Sequence, residues 1–198
     1  MIGKETVCGV GYLNGEKPFN KGNCEYEYEI WSSMIQRCYG RGAISKYHND
    51  CSVSDNFKDY NYFKMWCNQQ IGFNYRDEKK GLFHLDKDLL SNGARIYSEE
   101  TCCFIPAEIN CALPSPKPLN KTSALPLGVS KRKDRAKFSA TLACYGRVKH
   151  LGSFITVEEA VDAWKVAKSL YFLELAEKWK DIVDPRVYSA LVERANSL

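Results

Sequence analysis

Residues 128–167 read GVSKRKDRAKFSATLACYGRVKHLGSFITVEEAVDAWKVA, and this stretch decides the fold. Three strand-like segments follow one another from Leu127: LGVSKRK, KFSATLACY and RVKHLGSF. Turn signals at Asp134-Arg135 and Tyr145-Gly146 separate them. The pattern then changes period. Thr156 with Glu159 three residues on writes a capping box. Ala160, Trp164, Ala167 and Tyr171 recur on one helical face. Ala160, Ala163 and Ala167 permit close packing of that helix on a sheet. The expectation is a three-stranded antiparallel sheet packed on one helix.

Charge is concentrated in the same region. The chain has 198 residues and a net charge of +4. Residues 114–198 carry 15 Lys and Arg against 9 Asp and Glu, whereas residues 1–113 carry 13 against 15. Within 115–150 the ratio is 9 to 1. A basic stretch on a folded region points to a polyanion.

Upstream, CALPSPKPLNKTSALP (111–126) carries four prolines and reads as a linker. The expected organisation is therefore a region at 1–113, a linker at 114–125 and a module at 126–198. In the first region, VCGVGYLNGEKPF is strand-like with a turn signal at Asn14-Gly15. EYEYEIWSSMIQRCY reads as an amphipathic helix through Ile30, Met34 and either Arg37 or Cys38. SDNFKDYNYFKMWCNQQI reads as a second helix with Phe57, Tyr60, Phe63 and Cys67 on one side and Ser54 or Asp55 as its cap. LFHLDKDLL enters a loop as a strand, Ser91-Asn92-Gly93 turns, and a short helix starts near Pro106.

Cysteine usage bounds the compartment. Nine cysteines, an odd number with no CxxC pair, suit reduced thiols in a cytoplasmic protein. The first 19 residues hold no apolar signal region, and no stretch approaches a membrane helix. No membrane partner is expected. Cys38, His48 and Cys51 are closely spaced, but no second compact pair completes four ligands, so a structural zinc is not expected.

Two stretches of the chain carry resemblances to known families. Gly128-Val129, the basic strand, the aromatic strand, Leu151-Gly152, Phe154 and Glu158-Glu159-Ala160 resemble the APETALA-type domain of plant ethylene-response factors and of many phage nucleases, over about 126–172. That family lays its sheet in the major groove of double-stranded DNA with the helix behind. The resemblance implies DNA contacts from Ser130, Arg132, Phe138 and His150, with Lys131, Arg135, Lys137, Arg147 and Lys149 as nearby cations. Ser130, Ala143 and His150 stand where family members carry Arg or Trp, so readout is expected to rest mostly on phosphate contact.

HLDKDLLSNGARIYSEETCCFIPAEIN (84–110) resembles the HNH nuclease motif in the form found in phage proteins with that same C-terminal module. The resemblance implies an α+β chain with a ββα-metal centre. Asp86 would be its strand ligand, Asn92 its loop Asn and Asn110 its helical ligand. Two hard oxygen donors suit Mg²⁺, or Mn²⁺ in its place. The motif departs at its base: Lys87 stands where the family has His, and a protonated lysine accepts no proton at neutral pH. His84, two residues before Asp86 and on the same strand face, is the replacement candidate. Two functions follow as expectations: a metal-dependent homing or nicking endonuclease acting on duplex DNA in the cytoplasm of a phage host, or a DNA-binding regulator or inhibitor on a decayed nuclease scaffold. Oligomeric state is left open.

Overall fold

A computed structural model describes residues 5–20, 23–41, 51–77, 81–113, 125–131 and 137–198. The proline-rich stretch at 114–124, the expected turn at Asp134-Arg135, His48, Arg132 and Arg135 lie outside the described residues. The chain mixes helices with small sheets, in keeping with an α+β class. It divides into two compact units, Met1–Ile105 and Pro106–Leu198.

The first unit opens with two short antiparallel pairs. They are β1 (Glu5–Val7) with β2 (Gly11–Tyr12), and β3 (Phe19–Asn20) with β4 (Asn23–Cys24). Helix α1 (Tyr26–Tyr39) buries Trp31, Met34, Ile35 and Cys38. Strand β5 (Ser52–Val53) leads into α2 (Asp55–Lys58) and α3 (Tyr60–Gln69). The single second helix expected from the sequence is thus broken at Asp59. The cause is local. Ser54 caps α2 by accepting the Phe57 amide, and Asp59 caps α3 by accepting the Asn61 amide at 2.9 Å. An Asp in extended geometry ends one helix and starts the next.

Both short helices feed one aromatic core. Trp31, Phe57, Tyr60 and Phe63 are fully buried, and the Trp31 indole donates to the Phe57 carbonyl at 2.7 Å. Strands β6 (Arg76–Asp77) and β7 (Gly81–Leu82) pair antiparallel. Strand β8 (His84–Asp86) continues the chain, β9 (Ile96–Tyr97) pairs in parallel with β5, and β10 (Cys103–Ile105) pairs antiparallel with β8.

The second unit begins with α4 (Ala107–Ala112), started by Pro106 as the sequence suggested. Strands β11 (Val129–Lys131), β12 (Phe138–Cys144) and β13 (Arg147–Phe154) form an antiparallel sheet in that order. Tyr145 and Gly146 both take positive φ, giving the tight β12–β13 turn. Helix α5 (Val157–Trp179) packs behind the sheet, and α6 (Pro185–Asn196) packs on α5. The capping box forms: Thr156 Oγ1 accepts the Glu159 amide at 3.1 Å, and Glu159 returns a carboxylate oxygen to the Thr156 amide at 3.3 Å.

The buried face of α5 differs from the expected one. Ala160 and Tyr171 are buried, but Trp164 and Ala167 are only half-buried, and Lys168 is buried in their place. Helix α4 is tied to α5 by Glu108, whose buried carboxylate pairs with Lys178 and accepts the Trp179 indole at 3.2 Å.

Candidate functional site

Two places hold the candidate residues, one in each unit. In the first unit, β8 ends at Asp86, opposite Cys103 of β10. Asp86 is buried, and its Oδ2 accepts the Leu89 amide at 2.7 Å. The carboxylate therefore closes the turn that leaves the strand, an Asx-type turn. Burial pushes the Asp86 carboxyl up from the usual range, with Asp88 adding to the rise; the backbone amides and Lys87 act against it.

Lys87 is also buried, at 4% exposure, although it follows a strand end that a lysine would ordinarily leave for water. Its ammonium pairs with Asp88 and lies 5.3 Å from the centre of the Tyr97 ring. The ring face and the carboxylate together hold the cation. Arg37 lies over the same ring at 5.7 Å. His84 is exposed while Asp86 is buried, so their shared strand face does not give them a shared environment. Asn92 is exposed in the turn at positive φ, which Asn tolerates better than other non-glycine residues. Asn110 is half-buried on α4 and belongs to the second unit. Among the described residues no three His, Cys, Asp or Glu side chains converge on one point. None of the nine cysteines is in a disulfide; Cys38 and Cys51 are both buried.

The sheet of the second unit has two unlike faces. Directly opposed residues of an antiparallel pair share a face. Val129 opposes Ala140, and both are buried against Ala160 of α5. Phe138 packs against that same cluster, which absorbs it into the core side. Ser130 and Ser153 both oppose Ser139, Thr141 opposes His150 and Ala143 opposes Val148, so these seven share the outer face. Ser139 Oγ lies 3.2 Å from His150 Nδ1, diagonally across the same surface. None of the seven is Lys or Arg.

The cations stand at the rims. Lys131 is exposed on β11 opposite Phe138, and Lys149 and Arg147 are exposed on β13 opposite Leu142 and Cys144. Lys137 is exposed just before β12. The register of Lys131, Arg147 and Lys149 turns them toward the helix side, and long aliphatic stems let them reach past the sheet edge. The sequence alone does not yield this sorting, because a bulge shifts the register: Ala140 opposes Gly152 while Thr141 opposes His150, leaving Leu151 as the extra residue.

Sequence reasoning passed over Lys168. It is 7% exposed on α5, its Nζ donates to the Ala112 carbonyl, and the Phe172 ring lies 4.6 Å away. The available signal was its spacing: Lys168 falls eight residues after Ala160 and seven before Leu175, both buried.

No family model, curated protein or solved structure matches the chain. No helix among the described residues is long and apolar enough to cross a membrane.

Proposed function

We propose that the chain binds duplex DNA through the sheet of its second unit, with the rim cations gripping phosphates on either side of a groove. The observation that carries this reading is the sorting of charge on that sheet: Lys131 on one edge strand, Arg147 and Lys149 on the other, and small neutral residues between them. Edge strands of a three-stranded sheet stand roughly 10 Å apart. The major groove is about 12 Å wide and admits such a ribbon. A flat strip of Ser130, Ser139 and Thr141 can approach base edges without steric conflict, and cations at both margins neutralise the flanking backbones.

The test is a mobility shift with the full chain on a duplex of about 20 base pairs, a length that covers one module. Replacing Lys131, Arg147 and Lys149 together by Ala should abolish the shift. A triple variant that binds as tightly as the parent contradicts the proposal.

A second reading, metal-dependent cleavage of the bound duplex, is favoured by one feature: the chain order of β8, β10 and α4, with Asp86 at the end of the first strand. Asp86 fits a divalent ion, since coordination would relieve a carboxylate held in a buried setting. Mg²⁺ or Mn²⁺ is the ion in this reading, with water completing the oxygen shell around Asp86. The ion would stabilise charge on the phosphate. Lys87, already paired with Asp88, serves here as a positive charge and not as a base. Nicking of supercoiled plasmid with Mg²⁺ or Mn²⁺, lost in Asp86→Asn, would support cleavage. Absence of nicking with either ion leaves a DNA-binding regulator or inhibitor as the function.

A further inference from the structure

The second unit contains a cavity of about 440 Å³ where the sheet meets α5 and α6. Leu127, Val148, Trp164 and Phe172 give it apolar walls, and Lys168 and Arg194 are its cationic side chains. Among the described residues no Asp or Glu side chain lines it. Lys168 is more than nine-tenths buried. An ammonium has three donors. One goes to the Ala112 carbonyl, and the rings of Phe172 and Tyr171 lie 4.6 and 5.8 Å away. Among the described residues no carboxylate pairs with it. A buried cation balanced only by a neutral carbonyl and ring faces is costly. The setting pushes the Lys168 ammonium down from its ordinary value, burial being the main cause.

We infer that this cavity binds a small amphipathic monocarboxylate, its carboxylate on the Lys168 ammonium and its apolar body against Trp164 and Phe172. The anion would supply the counter-charge that the described residues do not give Lys168, and take donors the Ala112 carbonyl leaves over. The volume lies within the ordinary range for ligand pockets and suits an apolar body of about eight carbons. This inference stands apart from DNA binding: the cavity shares Thr141, Ala143 and Val148 with the outer face, but Ser130, Ser139 and the rim cations Lys131, Arg147 and Lys149 are not among its lining residues.

The probe is sodium octanoate, titrated into the full chain by calorimetry and by tryptophan fluorescence, with Trp164→Phe to assign the optical signal. Octanol and octyltrimethylammonium, of like apolar length, are the comparison ligands. Octanoate should bind at least about tenfold tighter than octanol, the factor a charge-assisted hydrogen bond supplies. Octyltrimethylammonium should bind more weakly still. Lys168→Met, which keeps length and ring contacts, should bring octanoate down to the octanol level and leave octanol unchanged. Leu127→Trp, on an exposed part of the wall, should weaken both by filling the space. Equal affinity for octanoate and octanol in the parent chain overturns the inference without recourse to any variant. So does no octanoate binding, or octanoate affinity unchanged in a folded Lys168→Met chain.

Discussion

Ser139 Oγ lies 3.2 Å from His150 Nδ1 across the outer face of the sheet. The contact puts Ser139 and His150 on one face of the sheet, the face that the proposed reading turns toward a groove and on which the register places no Lys or Arg. Ser130→Ala and His150→Ala should each change duplex affinity by less than about 1 kcal/mol, the scale of one neutral hydrogen bond. Two unrelated duplexes of equal length should bind within a few-fold of each other, measured by competition. A large loss confined to one sequence would mean that the face reads bases directly.

Gly128 sits at φ +78° with the Trp164 ring against it: a Cβ built there would lie 2.2 Å from Trp164 Cδ1 and 2.8 Å from the Thr141 carbonyl oxygen. Gly128→Ala adds left-handed strain to a steric conflict. It should destabilise the second unit by about 2–4 kcal/mol, read as a lowered thermal midpoint in that unit's transition. Trp164→Ala in the same chain should restore only part of the loss, because the Thr141 carbonyl remains in the way.

Asp86 is buried, and that burial works against its charged form. Its folded-state pKa is raised, so protonation favours the fold: the stability cost is absent below the ordinary carboxylate range and grows as pH rises through the folded value. Asp86→Asn keeps an oxygen for the Leu89 amide and removes the charge. Its melting temperature should exceed the parent's at pH 7, with the gap closing toward pH 3. Asp86→Ala should instead lose stability at both, by about 1 kcal/mol for the lost turn acceptor.

Glu108 accepts the Trp179 indole at 3.2 Å inside the second unit. Glu108→Ala leaves that indole N–H buried without its acceptor and should cost about 1–3 kcal/mol. Glu108→Gln retains an acceptor and should cost clearly less, because its Lys178 partner is half in solvent. Equal losses in chemical denaturation would assign the effect to the ion pair.

What the sequence disclosed, and what it withheld, divides by distance along the chain. The Thr156–Glu159 box and the Tyr145-Gly146 turn are settled within four residues, and both are legible as written. The break at Asp59 is equally local, but apolar periodicity through Phe57, Tyr60 and Phe63 runs across it, since both short helices feed one core. The burial of Lys87 and Lys168 is tertiary. It depends on Tyr97 in one case and on Phe172 and the Ala112 carbonyl in the other, and polarity alone assigns both lysines to solvent. The two faces of the sheet were half legible: strand alternation is visible, but the bulge at Leu151 decides which cations face which way.

The most direct measurement is duplex affinity of the full chain against salt concentration. If cations at the sheet rims grip phosphates, log K should fall linearly with log salt, and each rim cation removed from Lys131, Arg147 or Lys149 should make the slope shallower by about 0.9. Ser130→Ala should leave the slope unchanged. A flat salt response in the parent chain, or a slope indifferent to all three cations, would contradict phosphate-led docking on this sheet.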